Sequence, residues 1–166
     1  MGVMIVNFLK LRDNARLPEK KHPDDLCYDV YACDCEEIAP NVYRYHLGFA
    51  LQIDRSQGIK IPDITFSSRG GWQVFHNTNL SIDFRPRSSV WETGMVLANC
   101  EGTVDYGYTG EISAIFYHVM PNMPKYKPGD KILQMKIGFS FPIEFREVDK
   151  LLPTSRGDGG FGSTGK

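Results

Sequence analysis

The 166-residue sequence predicts an all-β domain built as a barrel, sandwich or jelly roll. Three observations point there. Apolar residues rarely recur at the three-to-four spacing that a helix needs. Short runs rich in β-branched and aromatic residues recur along the chain. Clusters of Gly, Pro, Asn and Asp, which favour turns, fall between those runs.

In order, the strand-like runs are 3–9, 26–32 (LCYDVYA), 42–53, 59–66, 72–75, 80–84, 95–98, 111–119, 131–138 and 143–147. Turn signals at Ala39-Pro40-Asn41, Ser56-Gln57-Gly58, Arg69-Gly70-Gly71, 121–124 and 127–130 separate them. One short helical turn is predicted at 88–93, because the fixed φ of Pro86 suits a helix start. The polar, proline-containing segment 10–25 reads as a surface loop. A hydrophobic share of 42% is ample for one core, and no repeat or linker divides the chain.

A net charge of −1 without a long basic run argues against general nucleic-acid binding. No apolar stretch is long enough to span a bilayer and no signal-peptide pattern opens the chain, so a cytoplasmic protein is expected. Cys27, Cys33, Cys35 and Cys100 lack a zinc spacing and are expected to be reduced and mostly buried. The four His form no ligand pattern.

Five stretches carry chemical potential. Asp29 interrupts an apolar, aromatic run. It is either a solvent-facing residue of an edge strand or a carboxylate that holds a metal ion or its water. In RPRSS (85–89), Arg and Ser side chains meet a probable helical start, which suits phosphate oxygens; the plainer alternative is Ser as an N-cap beside solvated Arg. GTVDYGYTGEI (102–112) reads as a β-hairpin whose tip takes a planar base, with Asp105 as a general base or merely a turn cap. GDKILQ (129–134) is a turn and a strand, with Gln134 a polar exception. The end, RGDGGFGSTGK (156–166), has five Gly among eleven residues, too many to order alone. Yet it also carries Arg156, Ser163 and Thr164 for phosphates and Phe161 for a base. It is either a tail that orders over a nucleotide or a flexible terminus. It is not a Walker-type loop, since no Lys-Ser/Thr and no helix follow its glycines.

In this order, YDV, RPRSS, GTVDYGYTGEI, GDKILQ and RGDGGFGSTG resemble the five motifs of the trimeric dUTP diphosphatase (dUTPase) family, over essentially the whole chain. The resemblance implies a jelly-roll-like, distorted-barrel subunit and a homotrimer with active sites at subunit interfaces. It implies Mg²⁺-dependent hydrolysis of dUTP to dUMP and pyrophosphate, by water attack on the α-phosphorus. Residues 1–152 would form the body and 153–166 a mobile tail closing over the site. Asp29 resembles the carboxylate that holds Mg²⁺ through water. Arg87 and Ser88, with Ser89 beside them, resemble the phosphate contacts. Asn99 and the backbone of 102–108, Gly102 and Val104 included, resemble the uracil and deoxyribose pocket. Asp105 resembles the residue that binds the 3′-hydroxyl and activates water. Tyr108 resembles the ring that leaves no room for a 2′-hydroxyl, and Gln134 the glutamine near the α-phosphate. In the tail, Arg156, Ser163 and Thr164 would clamp the outer phosphates, with Phe161 stacked on uracil and Gly160 and Gly162 freeing the backbone around it.

The chain departs from the family pattern at Leu26-Cys27, Ser89, Gly107, Thr109 and Lys131. Region 52–80 looks like an insertion, with an extended hairpin at 67–79; it is a surface elaboration or a protein-partner site. A dCTP deaminase of the same fold is the nearest alternative, but Glu92 and Ile115 stand where that family places an Arg and its catalytic Glu. A non-catalytic, nucleotide-gated regulator is the other.

Overall fold

A computed structural model describes residues 4–54, 64–68, 71–75, 79–140 and 143–159, with backbone alone for 64–68, 71–75 and 79. Among these residues twelve strands form: β1 Val6–Lys10, β2 Tyr28–Tyr31, β3 Asp34–Ala39, β4 Val42–His46, β5 Phe49–Ile53, β6 Ile64–Ser68, β7 Gly71–Phe75, β8 Asn79–Pro86, β9 Met95–Leu97, β10 Gly102–Asp105, β11 Ser113–His118 and β12 Lys131–Ser140. One 3₁₀ turn, Ser88–Glu92, stands where a helical turn was expected. No helix among the described residues is long and apolar enough to cross a membrane.

Two four-stranded antiparallel sheets, β10-β8-β12-β2 and β3-β4-β11-β9, form the jelly-roll-like body. Their strands alternate side chains between two faces. Leu80, Ile82 and Phe84 of β8 therefore point inward with Val30, Leu133 and Met135, toward Tyr43, Tyr45, Leu97 and Phe116 of the other sheet. Tyr45, Phe116 and Tyr126 pack edge to face, with centroids 5.5–6.2 Å apart. The Tyr45 hydroxyl donates to the Tyr126 carbonyl at 3.0 Å, which satisfies the one polar atom this ring buries. β1 pairs with β5 and β6 with β7 in two small sheets.

Six expectations fail. The 42–53 run is two strands, because Gly48 takes φ +75° between them. A Cβ there would also come within 2.6 Å of the Cys33 sulfur, so only glycine makes this corner. β3 (DCEEIA) was not anticipated, since acids are poor strand formers. It is an edge strand whose side chains mostly face solvent, and Asn41 at φ 60° turns it back onto β4. Residues 102–112 are not a hairpin: β10 pairs with β8 while β11 pairs with β4 and β9, so the connection crosses between sheets. Residues 143–147 are not a strand; Phe145 is 90% exposed. Of the cysteines only Cys33 is buried; Cys27 and Cys35 are half-buried and Cys100 is exposed. In the 52–80 region the hairpin is β6–β7, earlier in the chain than the 67–79 expected.

Candidate functional site

Three strands deliver one polar row. Gln134 on β12 lies opposite Asp29 on β2 and opposite Arg85 on β8. β8 runs on to Arg87, whose Nε donates to Asp29 Oδ1 at 3.0 Å. Gln134 Nε2 reaches the same oxygen at 3.5 Å, and Lys131 Nζ donates to Oδ2 at 3.0 Å. Lys131 and Gln134 are three residues apart, so in an unbroken strand they would face opposite ways. The β2–β12 register slips between Lys131 and Leu133, and this bulge turns both toward Asp29. Ile132 and Leu133, consecutive and both buried, mark the bulge.

Asp29 is 6% exposed, which corrects the expectation of a solvent-facing residue even though β2 is an edge strand. Burial pushes its pKa up, but the hydrogen bond and charge of Lys131 and the charge of Arg87 outweigh that and hold it below the usual carboxylate range. Asp29 is therefore a fixed anion, holding Arg87 by Nε alone and leaving the rest of that guanidinium for another acceptor.

Arg87, not a serine, occupies the N-cap of the 3₁₀ turn, and it caps through its carbonyl, which accepts the Val90 N–H at 3.0 Å. Ser88 is exposed and Ser89 half-buried behind it. Lys21, His22 and Asp25 share with Asp29, Arg87 and Gln134 a cleft of about 340 Å³. The His22 N–H donates to Asp25 Oδ2 at 2.9 Å, which shapes this loop. Lys21 and Arg87 face two carboxylates here, Asp25 and Asp29, both already accepting from protein donors, and the outer guanidinium of Arg87 is left to bind an anion.

A second group gathers at the other edge of the sheet. Asn99, Gly102 and Val104 line a cavity of about 50 Å³ beside Phe84, Leu97 and Leu133. Val104, Asp105 and Tyr108 line another of about 240 Å³ with Glu111. Asp105 and Tyr108 are exposed. The Tyr108 N–H donates to the Asp105 carbonyl at 3.0 Å, closing a turn that presents both side chains. Apolar walls with backbone groups at the rim suit a planar base and a sugar.

The two groups do not meet within one chain. Asp29 and Asp105 stand on opposite edge strands, about 14 Å apart across the sheet and offset by four residues, about 13 Å, along it. Arg156 joins neither group: its Nε donates to the Gly159 carbonyl at 2.8 Å in an exposed turn. Gly160, Phe161, Gly162, Ser163 and Thr164 lie outside the described residues.

Among the described residues no three His, Cys, Asp or Glu side chains are placed to hold a metal ion. The Asp29 carboxylate already accepts from three donors, and about one lone-pair position remains. That position fits a water on a hydrated Mg²⁺, not direct ligation by a set of protein groups. The residue that motif reading missed is Lys131, seen only as a departure from the family pattern. Its signal was present in GDKILQ: two adjacent apolar residues between two polar ones, where strict alternation would break.

No protein-family model matches the chain. It is 34% identical over 163 residues to the deoxyuridine 5′-triphosphate nucleotidohydrolase of Gloeothece citriformis, covering 98% of this chain and 97% of the relative. It is 30% identical over 157 residues to the same-named protein of Clostridium tetani, covering 94% and 93%. Its fold matches a mutant dUTPase of Staphylococcus bacteriophage 80alpha with dUpNHpp, at TM-score 0.69 and 19% identity over 98% of this chain and 99% of that one. It also matches a mutant dUTPase of phage phi11 of S. aureus, described with a structural Mg(II) ion, at TM-score 0.61 and 18% identity over 89% and 98%.

Proposed function

The chain belongs to the deoxyuridine triphosphate nucleotidohydrolase (dUTPase) family, and we propose that it hydrolyses dUTP to dUMP and pyrophosphate by water attack on the α-phosphorus. The observation that carries this is the near full-length similarity, at 34% identity, to a protein named for that reaction.

The residues divide the work between charge and position, which is what phosphoryl transfer requires. Arg87 and Ser88 bind phosphate oxygens, and Asp29 holds Arg87 in place from behind. Gln134, on the same row, donates toward the α-phosphate. Asn99, Gly102 and Val104 take uracil, and Tyr108 packs on deoxyribose. Asp105 accepts the 3′-hydroxyl and takes a proton from the attacking water, whose oxygen bonds to the α-phosphorus as the bond to the bridging oxygen of pyrophosphate breaks. Mg²⁺ bound to the triphosphate would neutralise its charge, with Asp29 accepting from one of its waters.

The site is completed in a homotrimer. The separation of Asp29 from Asp105 supports this, because one copy supplies the phosphate cleft and another the base and sugar pocket. The tail, 153–166, closes over the bound nucleotide, with Arg156, Ser163 and Thr164 on the outer phosphates and Phe161 on the base. A deaminase is not favoured: Ile115, half-buried on β11, stands where a carboxylate would be needed.

The test is pyrophosphate release with Mg²⁺ from dUTP, dCTP, dTTP and UTP, with ammonia followed in the same reactions. Pyrophosphate from dUTP alone is the expected result. Ammonia from dCTP would replace this reading with a deaminase. Binding of dUTP without any product would make the protein a nucleotide-gated regulator.

A further inference from the structure

The turn that carries Asp105 and Tyr108 is gripped at Glu111 by a charged cluster. Arg12 Nε and Nη2 reach the two carboxylate oxygens of Glu111 at 2.7 and 3.2 Å, a bidentate pair. A third nitrogen of Arg12, Nη1, donates to Asp34 Oδ2 at 3.0 Å. His46 lies between two carboxylates, with Nδ1 3.3 Å from Glu111 and Nε2 3.3 Å from Glu36. Glu36 also pairs with Arg44 at 3.0 Å. The hydrogen bond from Arg12 holds Glu111 below the usual carboxylate pKa, so it stays an anion. The backbone is stitched at the same place: the Ile112 N–H donates to Phe49 and the Ile112 carbonyl accepts from Leu47, at 3.0 and 3.1 Å.

Two contacts carry this fixity to the Tyr108 ring. The Tyr108 hydroxyl donates to the Glu111 carbonyl at 2.9 Å. A Cβ on Gly110 would stand 2.6 Å from the same hydroxyl, so the ring end occupies space that only glycine leaves. Tyr108 is 48% exposed, so core packing does not fix its ring. An isolated surface ion pair would contribute little, but a bidentate pair fixes direction as well as distance.

We infer that Arg12 and Glu111 are positioning residues that clamp the Tyr108 ring, and that with Gly110 they set how strictly the site rejects a 2′-hydroxyl. This rests on the dUTPase reading, in which Tyr108 walls off the sugar. A steric wall discriminates only while it is rigid, since a ring free to move by about 1 Å admits one more oxygen.

The test is kcat/KM for dUTP and for UTP in the wild type and in Tyr108→Ala, Glu111→Gln, Gly110→Ala, Arg12→Ala and Arg12→Lys, with Tm measured for each. Glu111→Gln keeps the carbonyl but loses the charge facing Arg12, while Gly110→Ala pushes the ring without touching the cluster. Both are expected to lower the dUTP-to-UTP ratio about tenfold, with Arg12→Lys restoring part of what Arg12→Ala loses. A purely structural role would lower Tm and weaken both substrates together, leaving the ratio intact. An unchanged ratio in Glu111→Gln and Gly110→Ala, with a reduced one in Tyr108→Ala, overturns the clamp and spares the wall. An unchanged ratio in Tyr108→Ala overturns wall and clamp together, and a wild type inert toward dUTP removes the dUTPase reading itself.

Discussion

Asp29 and Asp105 stand at opposite edges of one four-stranded sheet, the first buried among three donors and the second open to solvent. The chain solves the electrostatics of Asp29 by itself. Arg87, Lys131 and Gln134 all reach it, so this carboxylate is committed to holding cations. Asp105 sits on an exposed turn at the other edge. A carboxylate whose partners are already present acts by shaping a field, whereas one left open is available for proton transfer. The chain thus separates a paired carboxylate from an open one by about 14 Å across the sheet.

The largest effect should come from removing the open carboxylate. Asp105→Asn is expected to lower kcat by about 10³-fold or more while dUTP binding, read by calorimetry, stays close to that of the wild type. Full turnover in that variant would mean that Asp105 is a turn cap. Truncation after Leu152 comes next, with an expected loss of about 10²-fold in kcat/KM as the lid that positions the phosphates disappears. Sedimentation and Tm should not change; a truncated protein that dissociated would make the tail structural.

The smallest effect on turnover, and the clearest on stability, is expected at the buried end. Asp29→Asn leaves Arg87 and Lys131 facing a neutral amide, at a cost of about 1–3 kcal/mol, kept low because both cations are more than a quarter exposed. Asp29 has a folded pKa below its unfolded one, so its stabilisation is complete above the ordinary value of about 4 and is lost as pH falls through the folded value. Tm followed from pH 6 to about pH 2 should therefore fall more steeply in the wild type than in Asp29→Asn. Glu111, also held low by Arg12, keeps part of the acid decline in both proteins. Parallel pH curves would show that Asp29 contributes no net charge stabilisation.

Much of this architecture was open to reading one residue at a time. The β-branched runs placed most strands and Ala39-Pro40-Asn41 made its turn; the 3₁₀ turn lies where one was expected, but Pro86 ends β8 and does not start it. Asp29 stood out because an acid in an aromatic strand needs partners, and it has them. The partners themselves were less legible. Arg87 and Gln134 were visible through their motifs, but Lys131 reaches Asp29 only through a bulge, and a bulge is a property of two strands together. β3 hid behind its acids, since an edge strand held by one neighbour can be as polar as a loop.

By itself the sequence determined the class of fold and the order of the five motifs that mark the family, because each depends on chemistry within a few neighbouring residues. Tertiary structure decided which of those residues meet. Residues 102–112 look like a hairpin locally, yet β10 joins β8 and β11 joins β4. That crossing places Asp105 and Tyr108 at the far edge from Asp29 and brings Glu111 under the hold of Arg12. Strand partners and register are settled by contacts between residues distant in sequence, and no local preference encodes them.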